Sequence, residues 1–87
     1  MTFDLRTSSK ANAYLRRLDA DTQRRIKERL RQIGDDPYGD HSKPLVNAGG
    51  RRASRVGDYR IIFAINEEER VVGVSAIGPR GRVYRDL

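Results

Sequence analysis

Residues 51–77 read RRASRVGDYRIIFAINEEERVVGVSAI and contain three apolar runs separated by two polar connections. Arg51–Val56 predicts one strand, Tyr59–Asn66 a second and Val71–Ile77 a third, because valine, isoleucine and phenylalanine favour the pleated surface of a sheet. Asn66–Arg70 is rich in glutamate, and we interpret it as a charged, solvated turn rather than a metal site. The three runs predict a small, mainly antiparallel sheet.

The chain before these strands has helical periodicity. Phe3 and Leu5 alternate with polar residues and predict a short opening strand. Thr7–Ser9 offers an N-cap for a first helix, and Asp19–Thr22 ends that helix and caps a second one, which ends at Gly34–Pro37. The apolar stripe of the second helix comprises Ile26, Leu30 and Ile33. The sequence therefore predicts an α+β fold in the order β-α-α-β-β-β, with an N-terminal helical hairpin packed on one face of the sheet.

The composition favours an acidic partner. The 87 residues include 18 lysines and arginines against 12 aspartates and glutamates, a formal charge of +6. Such a surplus favours nucleic acid through counterion release, although a merely solubilising surface is the bland alternative. There is no cysteine, which excludes disulfides and thiolate metal sites. No apolar run approaches the roughly 20 residues that span a bilayer. We expect one cytoplasmic domain over residues 1–87, without a membrane partner.

Few residues offer catalytic chemistry. His41 is the only histidine, and it lies in the Pro- and Gly-rich loop of residues 35–50. With no second imidazole for a metal or a relay, we interpret it as a solvated loop residue and expect neither metal nor small-molecule cofactor. The absence of cysteine and of a Gly-x-Ser-x-Gly motif removes support for nucleophilic acyl chemistry.

What remains is a set of basic residues, with one tyrosine, around the strand ends. The cluster around the first two strands comprises Arg51, Arg52, Arg55 and Arg60. The cluster after the last strand comprises Arg80, Arg82, Tyr84 and Arg85. If the strands are neighbours, the clusters approach each other opposite the helices, where converging guanidinium groups would stabilise a phosphorane-like transition state. A solvated basic sheet edge, with Tyr84 covering the core, is the alternative. The second helix adds a basic face of Arg24, Arg25, Lys27, Arg29 and Arg31.

Two sequence blocks carry a family resemblance. Residues 55–65, RVGDYRIIFAI, and residues 78–84, GPRGRVY, stand at a spacing that resembles the central and terminal blocks of RelE-type toxins, particularly archaeal-type members of the RelE/ParE toxin–antitoxin superfamily. Lys43-Pro44-Leu45 also fits, and the likeness spans nearly the whole chain. The family fold is the β-α-α-β-β-β arrangement already predicted from periodicity.

The resemblance implies a ribosome-dependent endonuclease that cleaves mRNA in the 30S A site without metal. In that reaction the 2′-hydroxyl attacks the neighbouring phosphate and leaves a 2′,3′-cyclic phosphate. The catalytic residues carried over by position are Arg60, Arg80 and Tyr84. The implied contacts to RNA and ribosome are Arg51, Arg52, Arg55, Arg82, Arg85, Arg24, Arg25, Lys27 and Arg31. The implied partners are the ribosome, its mRNA and a RelB-like antitoxin that silences the toxin.

The sequence departs from the family pattern at one position and leaves two other functions open. Ala53 stands where a basic residue is often found, so the general base is unassigned, with Tyr84 or a ribosomal or RNA group as candidates. ParE-type toxins share the fold but inhibit DNA gyrase by binding. A catalytically weakened RNA- or ribosome-binding module is the third possibility.

Overall fold

The computed structural model describes residues 2–46 and 49–79. The elements are β1 (Asp4–Thr7), α1 (Ser9–Arg16), α2 (Ala20–Asp35), β2 (Lys43–Pro44), β3 (Arg52–Val56), β4 (Tyr59–Asn66) and β5 (Val71–Pro79). The strands form one sheet in the order β1-β5-β4-β3-β2, in which β1 runs parallel to β5 and all other neighbours are antiparallel. The predicted α+β fold is confirmed, and the two-residue strand β2 is added within the predicted loop.

Side-chain caps define where both helices begin. The Ser8 hydroxyl accepts a hydrogen bond from the Ala11 amide and donates one to the Ser75 carbonyl of β5, both at 3.1 Å. The Asp19 carboxylate accepts from the hydroxyl and the amide of Thr22, and these bonds lower the pKa of Asp19. Each cap satisfies amide groups that have no partner inside the helix. The Ser8 bonds also attach the start of α1 to the sheet.

Replacing Ser8 by alanine should destabilise the fold, because it removes the α1 cap and the bond to β5 together. We expect a loss of about 1 kcal/mol, or a Tm lowered by about 4–8 °C for a domain of this size. Thermal unfolding followed by circular dichroism measures this loss. Ser9→Ala, one residue later and exposed, is the matched control. An equal loss in both variants would contradict the capping role.

The helices cover one face of the sheet and form the main core with it. From the helices this core contains Ala11, Leu15, Ile26, Leu30 and Ile33. From the strands it contains Val56, Ile61, Phe63, Val72, Val74 and Ile77. A smaller cluster contains Ile62 and Ala76 with Leu45 and Ala53 beside them. Because side chains alternate along a strand, Ile62 and Ala53 belong to the face that the helices leave uncovered. None of the helices in the described ranges is long and apolar enough to cross a membrane.

A two-residue turn determines how β3 and β4 pair. Val56 lies opposite Tyr59, so only Gly57 and Asp58 connect the strands. Gly57 has a φ of +58°, which glycine adopts without strain, and a glycine first in a two-residue hairpin connection is typical of a type II′ turn. The consequence for the surface is that Arg55 and Arg60 become direct cross-strand partners.

Candidate functional site

Two arginines lie side by side on the uncovered face of the sheet. Arg55 and Arg60 are register partners on β3 and β4, and side chains of such partners project from the same face. Like charges placed directly opposite each other destabilise a sheet. A bound anion relieves that repulsion, and the guanidinium fork suits the oxygens of a phosphate. The pair therefore forms a candidate anion site.

A cavity of about 580 Å³ lies beside this pair, and we call it the sheet cavity. Its charged lining consists of the cations Arg29, Lys43, Arg55 and Arg60 and the single carboxylate Asp40. Four cations against one anion give the cavity a positive potential. In its size and charge it matches a phosphate with an attached sugar better than an apolar ligand.

Arg29 of α2 holds the wall of the sheet cavity in place. Its Nη1 donates to the Ser54 hydroxyl at 2.9 Å and to the Arg55 carbonyl at 2.8 Å. The Ser54 side chain is fully buried and donates to the His41 carbonyl at 2.6 Å. This network joins α2, β3 and the loop that contains His41. Arg29 is therefore a positioning residue rather than one more member of a solvated basic face.

The loop before β2 has a second set of anchors. Arg52 donates from Nε to the Ser42 hydroxyl at 3.0 Å and from Nη2 to the Ser42 carbonyl at 3.2 Å. Its guanidinium also lies 5.5 Å from the centre of the Tyr38 ring. The Tyr38 hydroxyl donates to Glu67 at 2.6 Å, and this bond is the main cause that raises the pKa of Tyr38. The loop is thereby attached both to β3 and to the β4–β5 turn.

Arg52 therefore serves the loop and not the sheet cavity. It lies three positions before Arg55 on β3, so the two side chains project from opposite faces of the strand. The sequence grouped these arginines, but the structure brings only Arg55 together with Arg60. Arg51 lies just before β3, where its carbonyl accepts a hydrogen bond from the Leu45 amide.

The basic face of α2 borders a groove of about 1010 Å³ beside the end of β3, and we call it the helix groove. It shares Arg29 and Arg55 with the sheet cavity, so one basic surface continues around this edge of the sheet. Arg24 pairs with Asp21, and Arg31 pairs with Glu28 and Asp35. The hydrogen bonding between Arg31 and Glu28 lowers the pKa of Glu28 and raises the pKa of Arg31.

The remaining cations of α2 are placed differently. Arg25 and Lys27 are exposed, and within residues 2–46 and 49–79 neither forms an ion pair. The Arg25 guanidinium lies beside the Gly57 turn, about 3.2 Å from where a Cβ of that residue would stand. These two side chains can therefore contact an external polyanion without first leaving a carboxylate on the helix.

The second predicted cluster, Arg80, Arg82, Tyr84 and Arg85, lies outside the described residues. The described chain ends at Pro79, directly after Gly78, which is the register partner of Arg60. Among the residues that are described, no group of three or more histidine, cysteine, aspartate or glutamate side chains could hold a metal ion.

Comparison with solved structures identifies the same fold in bacterial and archaeal toxins. A free mutant of the Escherichia coli toxin RelE superposes with a TM-score of 0.82 at 21% identity, covering 98% of this chain and 93% of that one. The Pyrococcus horikoshii RelE–RelB complex superposes with a TM-score of 0.81 at 25% identity, covering 94% of this chain and 99% of that one. The Mycobacterium tuberculosis toxin–antitoxin complex RelBE2 superposes with a TM-score of 0.81 at 22% identity, covering 92% of this chain and 100% of that one. No curated protein sequence matches the chain significantly.

The family follows from the sequence itself. The pattern of a family described as the ParE toxin of the type II toxin–antitoxin system parDE matches residues 5–84. The chain belongs to this ParE toxin family. The resemblance to the RelE/ParE superfamily is thereby confirmed, and the matched stretch includes both blocks that carried it.

Sequence reasoning about this ParE-family toxin missed two residues that line the sheet cavity. Lys43 of β2 is the register partner of Ala53, so its side chain projects from the face where the family's missing cation would stand. His41, interpreted from the sequence as solvated, is only partly exposed, and its Nε2 is buried. For Lys43, the only signal in the sequence was the fit of Lys43-Pro44-Leu45 to the family pattern. For His41, nothing in the composition of the loop indicated that it lines a cavity.

Proposed function

We propose that this type II toxin is a ribosome-dependent mRNA endonuclease that cleaves A-site mRNA. The observation that carries the proposal is the sheet cavity, in which Arg55 and Arg60 stand as cross-strand partners with Lys43 nearby. Facing like charges are explained by a bound anion, and a phosphodiester that reacts there gains more from them than one that is only bound. The reason is that negative charge grows on the phosphoryl oxygens as the reaction proceeds.

In the proposed reaction Arg60 binds the scissile phosphate and Arg55 neutralises the adjacent backbone. The ribose 2′-oxygen attacks phosphorus and loses its proton to a base, while the bond from phosphorus to the 5′-oxygen breaks and that oxygen gains a proton. The products are a 2′,3′-cyclic phosphate and a 5′-hydroxyl. Arg80 and Tyr84 are the proposed partners of Arg60. Arg80 would protonate the leaving 5′-oxygen, and Tyr84 would stack on a nucleobase of the mRNA.

The ribosome would bind along the helix groove. Arg25 and Lys27 are the proposed phosphate contacts there, with Arg24 and Arg31 contributing less because they pair with carboxylates on the helix. The predicted cations Arg82 and Arg85 would add further contacts. Arg52 is instead engaged with Ser42 and Tyr38, and Arg51 and Arg52 lie at the start of β3, away from this groove. Positioning by the ribosome would hold the attacking 2′-oxygen and the phosphate in line for the reaction.

The salt dependence of ribosome binding tests whether Arg25 and Lys27 contact phosphates more strongly than Arg24 and Arg31 do. Replacing Arg25 and Lys27 together by glutamine should reduce the slope of log affinity against log salt by roughly 1.4–1.8, since each lost phosphate contact removes about 0.7–0.9. Filter binding to ribosomes at several salt concentrations measures the slope. A double Arg24→Gln, Arg31→Gln variant loses the same charge and should change the slope much less. Equal changes would mean that net charge alone matters.

An antitoxin is the second proposed partner. Two of the similar solved structures are toxin–antitoxin complexes, RelE–RelB and RelBE2. The +6 charge of this chain suits an acidic, partly disordered protein that covers the sheet cavity and the helix groove together. A RelB-like antitoxin of this kind would block the substrate site directly.

Inhibition of DNA gyrase is the competing function, because the matching family is named for ParE. Parallel assays separate the two. The endonuclease proposal expects protein synthesis in an extract to stop, with cleaved mRNA, at concentrations that leave gyrase supercoiling untouched. Inhibited supercoiling with unaffected translation would reverse the choice. A chain that arrests neither process would be a weakened binding module.

A further inference from the structure

We infer that His41 is the proton-transfer residue of the sheet cavity, a role that rests on the proposed function and deepens it. The proposed reaction needs a group that takes the 2′-proton. Arginine remains protonated at any physiological pH and is a poor base, and an ordinary lysine is almost wholly protonated at neutral pH. An imidazole titrates in the required range, and the chain contains one histidine.

The surroundings of His41 place the residue at the sheet cavity, and it is only partly exposed to solvent. The residue lines the same cavity as the Arg55 and Arg60 pair. The His41 carbonyl accepts a hydrogen bond from the Ser54 hydroxyl at 2.6 Å. Arg29 Nη1 lies 3.5 Å from the same His41 carbonyl and also donates to the Arg55 carbonyl. The backbone of His41 is therefore held beside the backbone of β3 at Ser54 and Arg55.

The imidazole itself is held without a hydrogen bond on Nε2. That nitrogen is buried and finds no partner among the described residues. Native proteins rarely retain a shielded polar atom without a partner, and catalytic sites are one place where they do.

Gly39 provides the space that this ring occupies. A Cβ at that position would stand 2.9 Å from His41 Cε1 and 3.2 Å from Nδ1. The glycine does not have a positive φ, so the turn itself does not demand it. The absent side chain leaves room for the imidazole and for the Asp36 carboxylate, whose Oδ2 would stand 3.0 Å from that Cβ. Gly39→Ala is therefore a way to displace the ring without removing it, and Asp36→Asn separates the effect of the carboxylate.

The charges that face the cavity around His41 come from every neighbouring element. Arg29 from α2, Asp40 from the loop, Lys43 from β2, Arg55 from β3 and Arg60 from β4 line the cavity. The Asp36 carboxylate, at the C-cap of α2, stands beside the imidazole, since both lie within 3.2 Å of where a Cβ of Gly39 would stand. Asp36, Asp40 and Lys43 are the neighbours that could take over the proton. In model peptides carboxyl groups titrate well below an imidazole and ammonium groups well above it. The pH dependence of cleavage by variants therefore distinguishes these groups from His41.

The test is single-turnover cleavage of ribosome-bound mRNA from about pH 5 to pH 10. Wild type should show an inflection within this range, as expected when a group must lose its proton before it can act as a base. His41→Gln should lose that inflection and cleave about 10²–10⁴-fold more slowly, the range for a lost acid–base group. His41→Ala should regain activity when free imidazole is added, and Gly39→Ala should slow cleavage while ribosome binding is retained.

Three results would overturn the assignment. The first is a His41→Gln variant with the wild-type rate and inflection. The second is a folded His41→Ala variant that imidazole does not rescue. The third is a Lys43→Met variant that loses the inflection while His41→Gln keeps it. Wild-type chain that binds ribosomes without cutting mRNA would instead overturn the proposed function, and this role with it.

Discussion

Replacing Arg60 by methionine is expected to slow cleavage of ribosome-bound mRNA by about 10²–10³-fold, the loss typical of removing one preorganised donor to a charged transition state. Methionine keeps an unbranched side chain of similar length, so the β3–β4 pairing should survive. The charge and the fork that are proposed to bind the phosphate are removed. Arg60→Lys, which keeps the charge without the fork, should fall between methionine and wild type. Primer extension at saturating toxin measures the rate of cleavage.

Arg6→Met is the matched control for Arg60. Arg6 is exposed on β1, at the edge of the sheet opposite β2, and its replacement removes the same charge. We expect it to cleave at close to the wild-type rate. Equal loss in both variants would assign the effect to net charge, and full activity of Arg60→Met would remove Arg60 from the reaction.

Replacing Arg29 by methionine should cost about 2–3 kcal/mol of folding free energy, since hydrogen bonds to charged groups contribute about 1.5–3 kcal/mol. The change leaves the Arg55 carbonyl without this donor and removes a partner of the fully buried Ser54 hydroxyl. The sheet cavity should also lose its shape, because the His41 loop and β3 are held through the same network. Urea unfolding measures the first effect and the cleavage rate the second.

Arg25→Met separates the structural role of Arg29 from the charge of the helix. Arg25 lies one helical turn earlier on α2 and is exposed, and substitutions at such surface positions usually change stability by less than about 0.5 kcal/mol. If the two variants unfold at the same urea concentration, the Arg29 network does not hold the sheet cavity together.

Much of the fold was predictable from local signals. Ser8 and Asp19 are side-chain caps that the sequence indicates directly, and the apolar period of α2 specifies which face packs on the sheet. Strand β2 was not predictable, because two residues that include a proline carry no periodicity. Strand β5 continues through Gly78 and Pro79, beyond its predicted end at Ile77. That proline is tolerated because β1 pairs only with Val71–Val74, so no strand of residues 2–46 and 49–79 needs a backbone N–H from Pro79 on that side.

The site was predictable only where strand geometry decides it. A two-residue turn makes Arg55 and Arg60 partners, and alternation separates Arg52 from them, a consequence that the sequence grouping overlooked. The role of Arg29 depends on how α2 crosses β3, which helical periodicity does not reveal. His41 and Lys43 reach the sheet cavity through a loop with no repeating pattern, so only tertiary structure identifies them.

The most direct test of the account compares two mRNAs on ribosomes incubated with wild-type toxin. One has ribose throughout, and the other carries 2′-deoxynucleotides at the A-site codon, which removes only the attacking hydroxyl. Primer extension should reveal a new 5′ end within the A site of the first mRNA and none in the second. Equal cleavage of both mRNAs, or an intact first mRNA on toxin-bound ribosomes, would contradict the proposed phosphodiester chemistry.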